Sequence, residues 1–428
     1  MTYHTFDRQV LVKTETTEGT AISMTGTNYV DCQDDIDVQI TPIANERPLV
    51  RPGLTPVPDL SASTGLADGT MIGTGTMTMT VEMAFKTGTS PQTTAPAWGP
   101  LMKACGFEEV TGIERIGISG WTSSPFFNRE NLSVSAAVKG TALGTHFEDD
   151  SYLYYKPSGG GISTGNTVDG DVSSGELAAT GTSTAAGIAY CLNTTKGTGN
   201  NSSCTIQLYR AGKLVTFKGC RGSVAFEFQA TNRVLMTFTM EGVLSSVANG
   251  SRTAGIAIGH ANPPTFDDAT FSLAEHASTA PFTSALFESL SLDLGNQIVV
   301  RSDANSASGY KAAQIVGRAP TLSANPDSVV GGATSSSVFD FYEKWVEGLS
   351  LRAEWKVGAG MNGQSALFRI PAGLIDGVSP GDRDEVEVDD VSLKVTGGMY
   401  GDSVEPLTPT TRFYDDRGYD NEMTIILY

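Results

Sequence analysis

The chain has 428 residues and a mass of 45.0 kDa, which exceeds one ordinary hydrophobic core and predicts two domains. Charged residues make up only 18% of the chain and 48 residues are glycine, a composition that disfavours long helices and favours strands joined by many turns. The formal net charge of −19 excludes tight binding to nucleic acid through neutralised phosphates, because an acidic protein repels a polyanion. The negative charge indicates either a surface that keeps the protein soluble or a surface along which DNA moves without binding.

Targeting signals and disulfides are not expected. His4, Asp7 and Arg8 interrupt the N-terminus where a secretory signal needs an apolar run, and no stretch approaches 18 consecutive apolar residues. The five cysteines are odd in number and widely spaced, which predicts buried thiols and synthesis in a reducing cytoplasm. The sequence therefore predicts a protein without a membrane partner.

The first half of the chain alternates between apolar and polar residues. Residues 76–85 place methionines, a valine and a phenylalanine on one face and Thr78, Thr80 and Glu82 on the other, which predicts a half-buried strand. The runs 223–228 and 234–241 alternate in the same way around a short turn and predict a β-hairpin, with Thr237, Thr239 and Glu241 on its polar face.

A short helix is predicted between these strands. Trp98, Leu101, Met102 and Cys105 recur at helical spacing, and Gly106 follows at the position that favours a left-handed residue. We expect Trp98, Leu101 and Met102 to anchor this helix on a sheet.

Two segments carry weaker patterns. Residues 156–203 are rich in Gly, Ser and Thr, and we expect a long surface loop or irregular insertion there, because such a segment buries little apolar area. Residues 251–281 contain Pro263 and Pro264 and are interpreted as the connection between two domains.

The second half of the chain has the same kinds of pattern as the first, alternating strands and one short helix. Alternation at 290–294, 386–395 and 423–427 predicts strands. Val338, Phe341, Tyr342 and Trp345 recur at helical spacing, with Gly348 behind them. Ser337 and Asp340 resemble a capping box for this second helix, in which we expect Phe341 and Trp345 to be buried anchors equivalent to those of the first helix.

The order of strands, helix and strands thus occurs twice. We interpret it as a divergent internal duplication, with one domain at 1–250 that carries an insertion near 112–203, the connection at 251–281, and a second domain at 282–428. Chance similarity between two unrelated α+β domains remains the alternative.

Motifs for chemistry occur only in unsuitable contexts. Residues 161–165 spell a nucleophile elbow inside a glycine-rich loop, and 358–363 spell a dinucleotide fingerprint where a hairpin loop is expected. The acidic clusters lack the spacing of a helix–loop–helix calcium site, and the four histidines are scattered. These clusters are Asp31/Asp34/Asp35/Asp37, Glu148/Asp149/Asp150, Asp382/Asp384/Glu385 and Asp415/Asp416. We therefore predict no catalytic residue, no cofactor and no metal.

Several segments resemble the tail-tube proteins of long-tailed, non-contractile bacteriophages. The segments are Pro96–Phe107, Phe217–Phe226 with the following Leu235–Gly242, Leu290–Asn296, Ile315–Pro320 and Asp420–Ile425. The resemblance implies a mainly β fold with two tail-tube-like β-sandwich or half-barrel domains, each with one flanking helix. It also implies a structural virion protein without enzymatic activity.

The same resemblance implies the partners. Copies of the chain would form a homotrimeric ring with pseudo-sixfold symmetry, and rings would stack into a hollow tube in the virion tail. Terminator, tip and tape-measure proteins would contact the tube, and viral DNA would pass through it without specific binding. A capsid decoration or baseplate protein is the alternative, followed by a β-sandwich hydrolase, which would need a close pair of carboxylates in a cleft.

The polar strand faces are the candidate lining of such a channel. The residues concerned are Thr78, Thr80, Glu82, Thr237, Thr239 and Glu241. The alternative is that the acidic excess lies on the outer surface, and a register error of one residue would exchange the two faces.

Overall fold

A computed structural model of the chain describes most of the sequence. The described residues are 7–42, 73–86, 91–119, 130–145, 152–170, 176–192, 202–256, 263–267, 269, 271–275, 287–306, 308–328, 340–348, 350–358, 365–383, 385–396 and 423–428. Within them lie twenty-three strands, two short α-helices and a 3₁₀ turn at Gly26–Asn28. The prediction of a mainly β fold with short helices is confirmed.

The elements are labelled here in chain order. Those up to residue 250 are β1 (Arg8–Thr14), β2 (Tyr29–Val30), β3 (Asp37–Pro42), β4 (Gly73–Glu82), α1 (Gly99–Ala104), β5 (Phe107–Ser119), β6 (Asn131–Val134), β7 (Ala137–Thr145), β8 (Tyr152–Pro157), β9 (Thr167–Gly170), β10 (Glu176–Ala179), β11 (Thr184–Leu192), β12 (Cys204–Arg210), β13 (Lys213–Gln229) and β14 (Leu235–Asn249). Those that follow are β15 (Phe271–Glu275), β16 (Phe287–Asp293), β17 (Gln297–Ser302), β18 (Tyr310–Gly317), β19 (Thr321–Pro326), α2 (Phe341–Glu347), β20 (Ser350–Val357), β21 (Ala366–Arg383), β22 (Val386–Val395) and β23 (Thr424–Leu427).

Two sets of strands have the same order. Antiparallel pairing gives β1–β12–β13–β14–β4–β3 in the first set and β15–β20–β21–β22–β19–β16 in the second. In chain order, β1, β3, β4, α1, β12, β13 and β14 of the first set correspond to β15, β16, β19, α2, β20, β21 and β22 of the second. A helix therefore follows the corresponding strand, β4 or β19, in each set.

The two sets join edge to edge. β12 pairs with Lys213–Cys220 of β13, and β16 pairs with Ala225–Gln229 farther along the same edge. The result is a continuous antiparallel sheet of eight strands in the order β3–β4–β14–β13–β16–β19–β22–β21. One hydrophobic core serves both sets, as in the ring contacts of Phe228 with Trp355 and Phe368 at centroid distances of 5.6 and 5.0 Å.

The predicted connection at 251–281 contains a strand. β15 pairs with β20, and Phe271 and Leu273 are buried in the shared core. The proline pair earlier in the segment predicts a linker, whereas the short alternation of apolar and polar residues after it forms the strand β15.

The described part of residues 156–203, within the insertion near 112–203, does not form the long surface loop or irregular insertion that the sequence predicts. The strands β5, β8, β7, β6, β9 and β10 pair in that order, and β10 pairs back with β5, which closes a six-stranded antiparallel barrel. A separate core fills it, with residues such as Ile116, Leu132, Leu153 and Leu177. Few apolar residues are enough to fill the interior of this barrel, because each short strand contributes only one or two of them. Closure of the barrel also removes the free strand edges.

The barrel packs against the part of the sheet that is formed by β11, β23 and the beginning of β21. β5 continues beyond the barrel to pair with β11, which pairs with the C-terminal strand β23, which in turn pairs with β21. Ile188 and Tyr190 of β11 face the main core, while Ala189 and Cys191 face a third cluster beneath the barrel. This part of the sheet is therefore buried on both faces.

The first helix matches its prediction. Trp98, Leu101 and Met102 are buried in the main core, and Trp98 immediately precedes the first turn of α1. Its side chain lies against Tyr190, with ring centroids 5.3 Å apart.

The prediction for the second helix is wrong in part. Phe341 is buried, but Trp345 is 44% exposed and Tyr342 is also exposed. The helix begins only after Asp340, whose carboxylate accepts a hydrogen bond from the backbone N–H of Glu343, so Val338 and Ser337 precede its first turn and lie outside the described residues. The helix has two turns at most, so of the four residues predicted to pack on the sheet only Phe341 is a buried anchor within it. Gly348 ends it in the left-handed conformation, as predicted.

All five cysteines are free thiols, and four of them are buried. Among the described residues, no helix has the length and apolar character needed to cross a bilayer.

Candidate functional site

The six residues predicted to share a polar face are brought together by the structure. β4 and β14 pair so that Thr78 lies opposite Thr239 and Thr80 opposite Thr237, while Glu82 and Glu241 occupy the same face at opposite ends of the ladder. The hydroxyl oxygens of Thr80 and Thr237 are 3.4 Å apart. The alternate residues, including Met77, Met79, Phe238 and Met240, are buried in the core. The predicted alternation of polar and apolar faces is therefore confirmed for these two strands.

The polar face continues across the whole eight-stranded sheet. Cross-strand pairing adds residues of β3, β13, β16, β19 and β22 to it. These residues are Asp37, Gln39, Ser223, Ala225, Glu227, Ser291, Asp293, Thr321, Ser323, Ser392 and Lys394. We call the surface formed by these residues and the six above, together with Asp390, the polar face.

Carboxylates dominate the charge of the polar face. Asp37, Glu82, Glu227, Glu241, Asp293 and Asp390 lie on it, and among its named members Lys394 is the one cation. Glu227 pairs with Ser291, and Asp293 with Ala225, so these two carboxylates are diagonal neighbours at the junction of β13 and β16. Partial burial raises the pKa of Glu241 above 4.5.

Two arginines lie near carboxylates of the polar face, and one of them, Arg233, forms an ion pair with Glu82. Arg233, in the turn between β13 and β14, donates to both carboxylate oxygens of Glu82 at 2.9 and 3.1 Å. Arg221 lies opposite Glu241 but is buried, and its guanidinium donates to Glu18 at 2.8 Å.

The polar face is concave over its second half. A groove of about 710 Å³ runs across β13, β16, β19, β22 and β21, and its lining combines apolar residues with polar side chains. The polar side chains include Glu227, Ser291, Ser323, Ser379, Asp390 and Ser392. A sheet with one face in a hydrophobic core and a polar, partly concave opposite face is a suitable wall segment for an aqueous channel.

An ion pair of Glu18 links the N-terminal region to the β17–β18 hairpin. Its carboxylate accepts from Arg221 at 2.8 Å and from Arg301 of β17 at 3.2 Å. Partial burial favours the neutral form, but the hydrogen bond and charge of Arg221, with the charges of Arg301 and Lys311, outweigh it and hold the pKa of Glu18 below 4.5.

The catalytic-looking motifs stay in loops. Residues 161–165 connect β8 and β9, and Ile162 fills the barrel core instead of preceding a helix. Residues 358–363 connect β20 and β21, whose ladder begins at Val357 and Ala366, as the predicted hairpin requires; most of the loop itself lies outside the described residues. In the described part of the chain, no group of three or more His, Cys, Asp or Glu residues is placed to hold a metal ion.

No family model matches the chain, and no curated protein matches it.

Sequence reasoning missed the extent of the polar face. The acidic members Glu227 and Asp293 stand in strands whose alternation was recognised, so their orientation was predictable. The pairing of β13 with β16, which makes them neighbours, joins residues more than sixty positions apart and leaves no local signal.

Proposed function

We propose that this chain is a structural virion protein that assembles into stacked rings and forms the hollow tail tube through which phage DNA passes. The observation that carries the proposal is the eight-stranded sheet, which has one face in a hydrophobic core and the other face polar, acidic and partly concave. A channel for DNA needs such a wall, because cationic side chains would retain the polyanion while carboxylates repel it.

The matching strand orders support an internal duplication into two similar tail-tube-like domains. Each set contributes the same strands and one helix, and the barrel is an addition to the first. The pairing of β13 with β16 then acts as a junction between two equivalent units within one chain. Three chains would supply six such units, which favours a homotrimeric ring with pseudo-sixfold symmetry.

The outer edges of the sheet favour assembly with further copies. Among the described strands, β3 pairs only with β4, and the second half of β21 pairs only with β22. Unpaired edges bind other strands unless they are protected, and ring closure is one way to remove them. The tube would lie in the virion tail, where terminator, tip and tape-measure proteins are its expected neighbours, and its role requires no cofactor.

The mass and shape of the purified assembly test the proposal. We expect rings of three 45.0-kDa chains by native mass spectrometry and stacked tubes by electron microscopy. Isolated trimers or monomers under all conditions would favour a capsid decoration or baseplate protein. Six chains per ring would contradict the duplication, because twelve units would then need places.

A further inference from the structure

The internal junction shows how one unit of this fold covers another. Asn296, just after β16, donates from its side-chain nitrogen to the carbonyl oxygens of Cys105 and Gly222, both at 2.8 Å. The Arg318 guanidinium lies beside Gly106 at the end of α1. The segment that begins with β16 therefore covers both the free edge of β13 and the end of the first helix.

In the described part of the chain, no strand covers the corresponding edge of the second set, and the corresponding helix exposes apolar side chains. β20 pairs with β21 only as far as Leu374, and no described strand occupies that edge along Ile375–Arg383. Pro380 lies in this half of β21, and prolines within sheets are found at edges and bulges. Among the described strands, the edge that β16 fills on β13 thus has no partner on the second half of β21.

The second helix, which packs against β21, exposes apolar side chains. Trp345 is 44% exposed and Val346 is 82% exposed, and Tyr342 adjoins them, whereas Trp98 beside α1 is 2% exposed. Exposed large aromatic and aliphatic side chains grouped on one short helix indicate a contact surface.

A copy of the same chain carries the matching element. β3 occupies in the first set the place that β16 occupies in the second, and its outer edge has no described partner. Val38 and Ile40 pack against the main core from β3, as Leu290 and Leu292 do from β16. The pairing of β16 with β13 within one chain would therefore be repeated between two chains if β3 of a second copy paired with the second half of β21.

We propose that Tyr342, Trp345 and Val346 of α2, together with the second half of β21, bind the β3 end of a second copy of this chain. This interface deepens the proposed ring and rests on it for the number of copies, although the contact itself needs only self-association. Burial of the helix patch explains why a tryptophan at helical spacing with Phe341 is left at the surface of a single chain.

The test compares two substitutions of exposed valines. Val346→Lys places a charge in the proposed contact, and Val138→Lys, on the barrel at 51% exposure, is the matched control. We expect Val346→Lys to raise the protein concentration at half assembly at least tenfold in sedimentation velocity, with no change in thermal unfolding of the unassembled chain. Val138→Lys should assemble like the parent.

Tryptophan fluorescence gives a second measurement that needs no loss of assembly. The difference spectrum between the parent and Trp345→Phe isolates Trp345, and we expect its emission to shift to shorter wavelength when rings form. Rings or tubes that form normally with Val346→Lys and an unshifted Trp345 would overturn the interface but leave the tail-tube proposal standing. Dimers that bury Trp345 without ever forming tubes would support the interface and overturn the tail-tube proposal. A chain that stays monomeric would overturn both.

Discussion

The indole nitrogen of Trp98 donates a hydrogen bond of 2.8 Å to the carbonyl oxygen of Ala84, two residues beyond the end of β4. The bond fixes the entry to α1 against the strand that precedes it, and the ring fills the main core beside Tyr190. Trp345 belongs to the corresponding four-residue pattern of the second helix, as its last member where Trp98 is the first, and it remains 44% exposed. Two tryptophans with the same local pattern therefore have different roles.

Replacement of the two tryptophans should separate these roles. We expect Trp98→Ala to lower the free energy of unfolding by about 3–5 kcal/mol, because it leaves a cavity and an unpaired buried carbonyl. Trp345→Ala should cost about 1 kcal/mol or less in the unassembled chain. Urea unfolding of both variants measures the difference, and equal losses would contradict the assignment of Trp345 to the surface.

The ion pairs of Glu18 predict a pH-dependent contribution to stability. Its pKa is lower in the folded chain than the unfolded value of 4.5, so its stabilisation is present above that value and is lost as the pH falls through the lowered folded pKa. Glu18→Gln should therefore cost about 1–2 kcal/mol at pH 7, the scale of a charged hydrogen bond, and much less near pH 3.

Urea unfolding at the two pH values checks this expectation. Glu227→Gln is the control, because Glu227 is exposed on the polar face and should change stability little at either pH. A cost for Glu18→Gln that is the same at pH 7 and pH 3 would show that the bridge to Arg221 and Arg301 acts through packing and not through charge.

The strands that could be predicted are those with long alternation. The period of two extends over ten residues at 76–85 in β4 and over six and eight residues at 223–228 and 234–241 in the β13–β14 hairpin, so both their existence and their faces followed from the sequence. The barrel could not be predicted in the same way. β9 and β10 have four residues each, with Val168 and Leu177 as their main interior side chains, and alternation that short is indistinguishable from a polar loop.

The remaining failures concern tertiary contacts. Helical spacing places Phe341 and Trp345 on one side of a helix, but it cannot tell how far the supporting sheet extends beneath them. The joining of β13 to β16 depends on two edges that are far apart in sequence, so the breadth of the polar face emerged only from the structure.

Independent stability of the barrel is a third prediction. Leu153 is fully buried in the barrel core, and Leu153→Ala should cost about 2–5 kcal/mol locally. Because the barrel has its own core, we expect faster hydrogen exchange in β6–β10 and unchanged exchange in β13 and β14. The matched variant Leu292→Ala, in the main core, should speed exchange in β13, β16 and β19 instead. Faster exchange throughout the chain with Leu153→Ala would mean that barrel and sheet unfold as one unit.

The orientation of the polar face in the assembled tube is the last prediction. If this face lines the channel, Glu227→Cys in assembled tubes should react with a small maleimide that diffuses along the lumen but not with a large poly(ethylene glycol) maleimide that cannot enter. Val138→Cys, exposed on the barrel, should react with both reagents, and both sites should react equally in the unassembled chain. Four of the native thiols are buried, and the parent protein measures the background that they and the half-buried Cys32 contribute. Reaction of Glu227→Cys with the large reagent as fast as that of Val138→Cys would place the carboxylates on the outer surface, where they would serve solubility and not the passage of DNA.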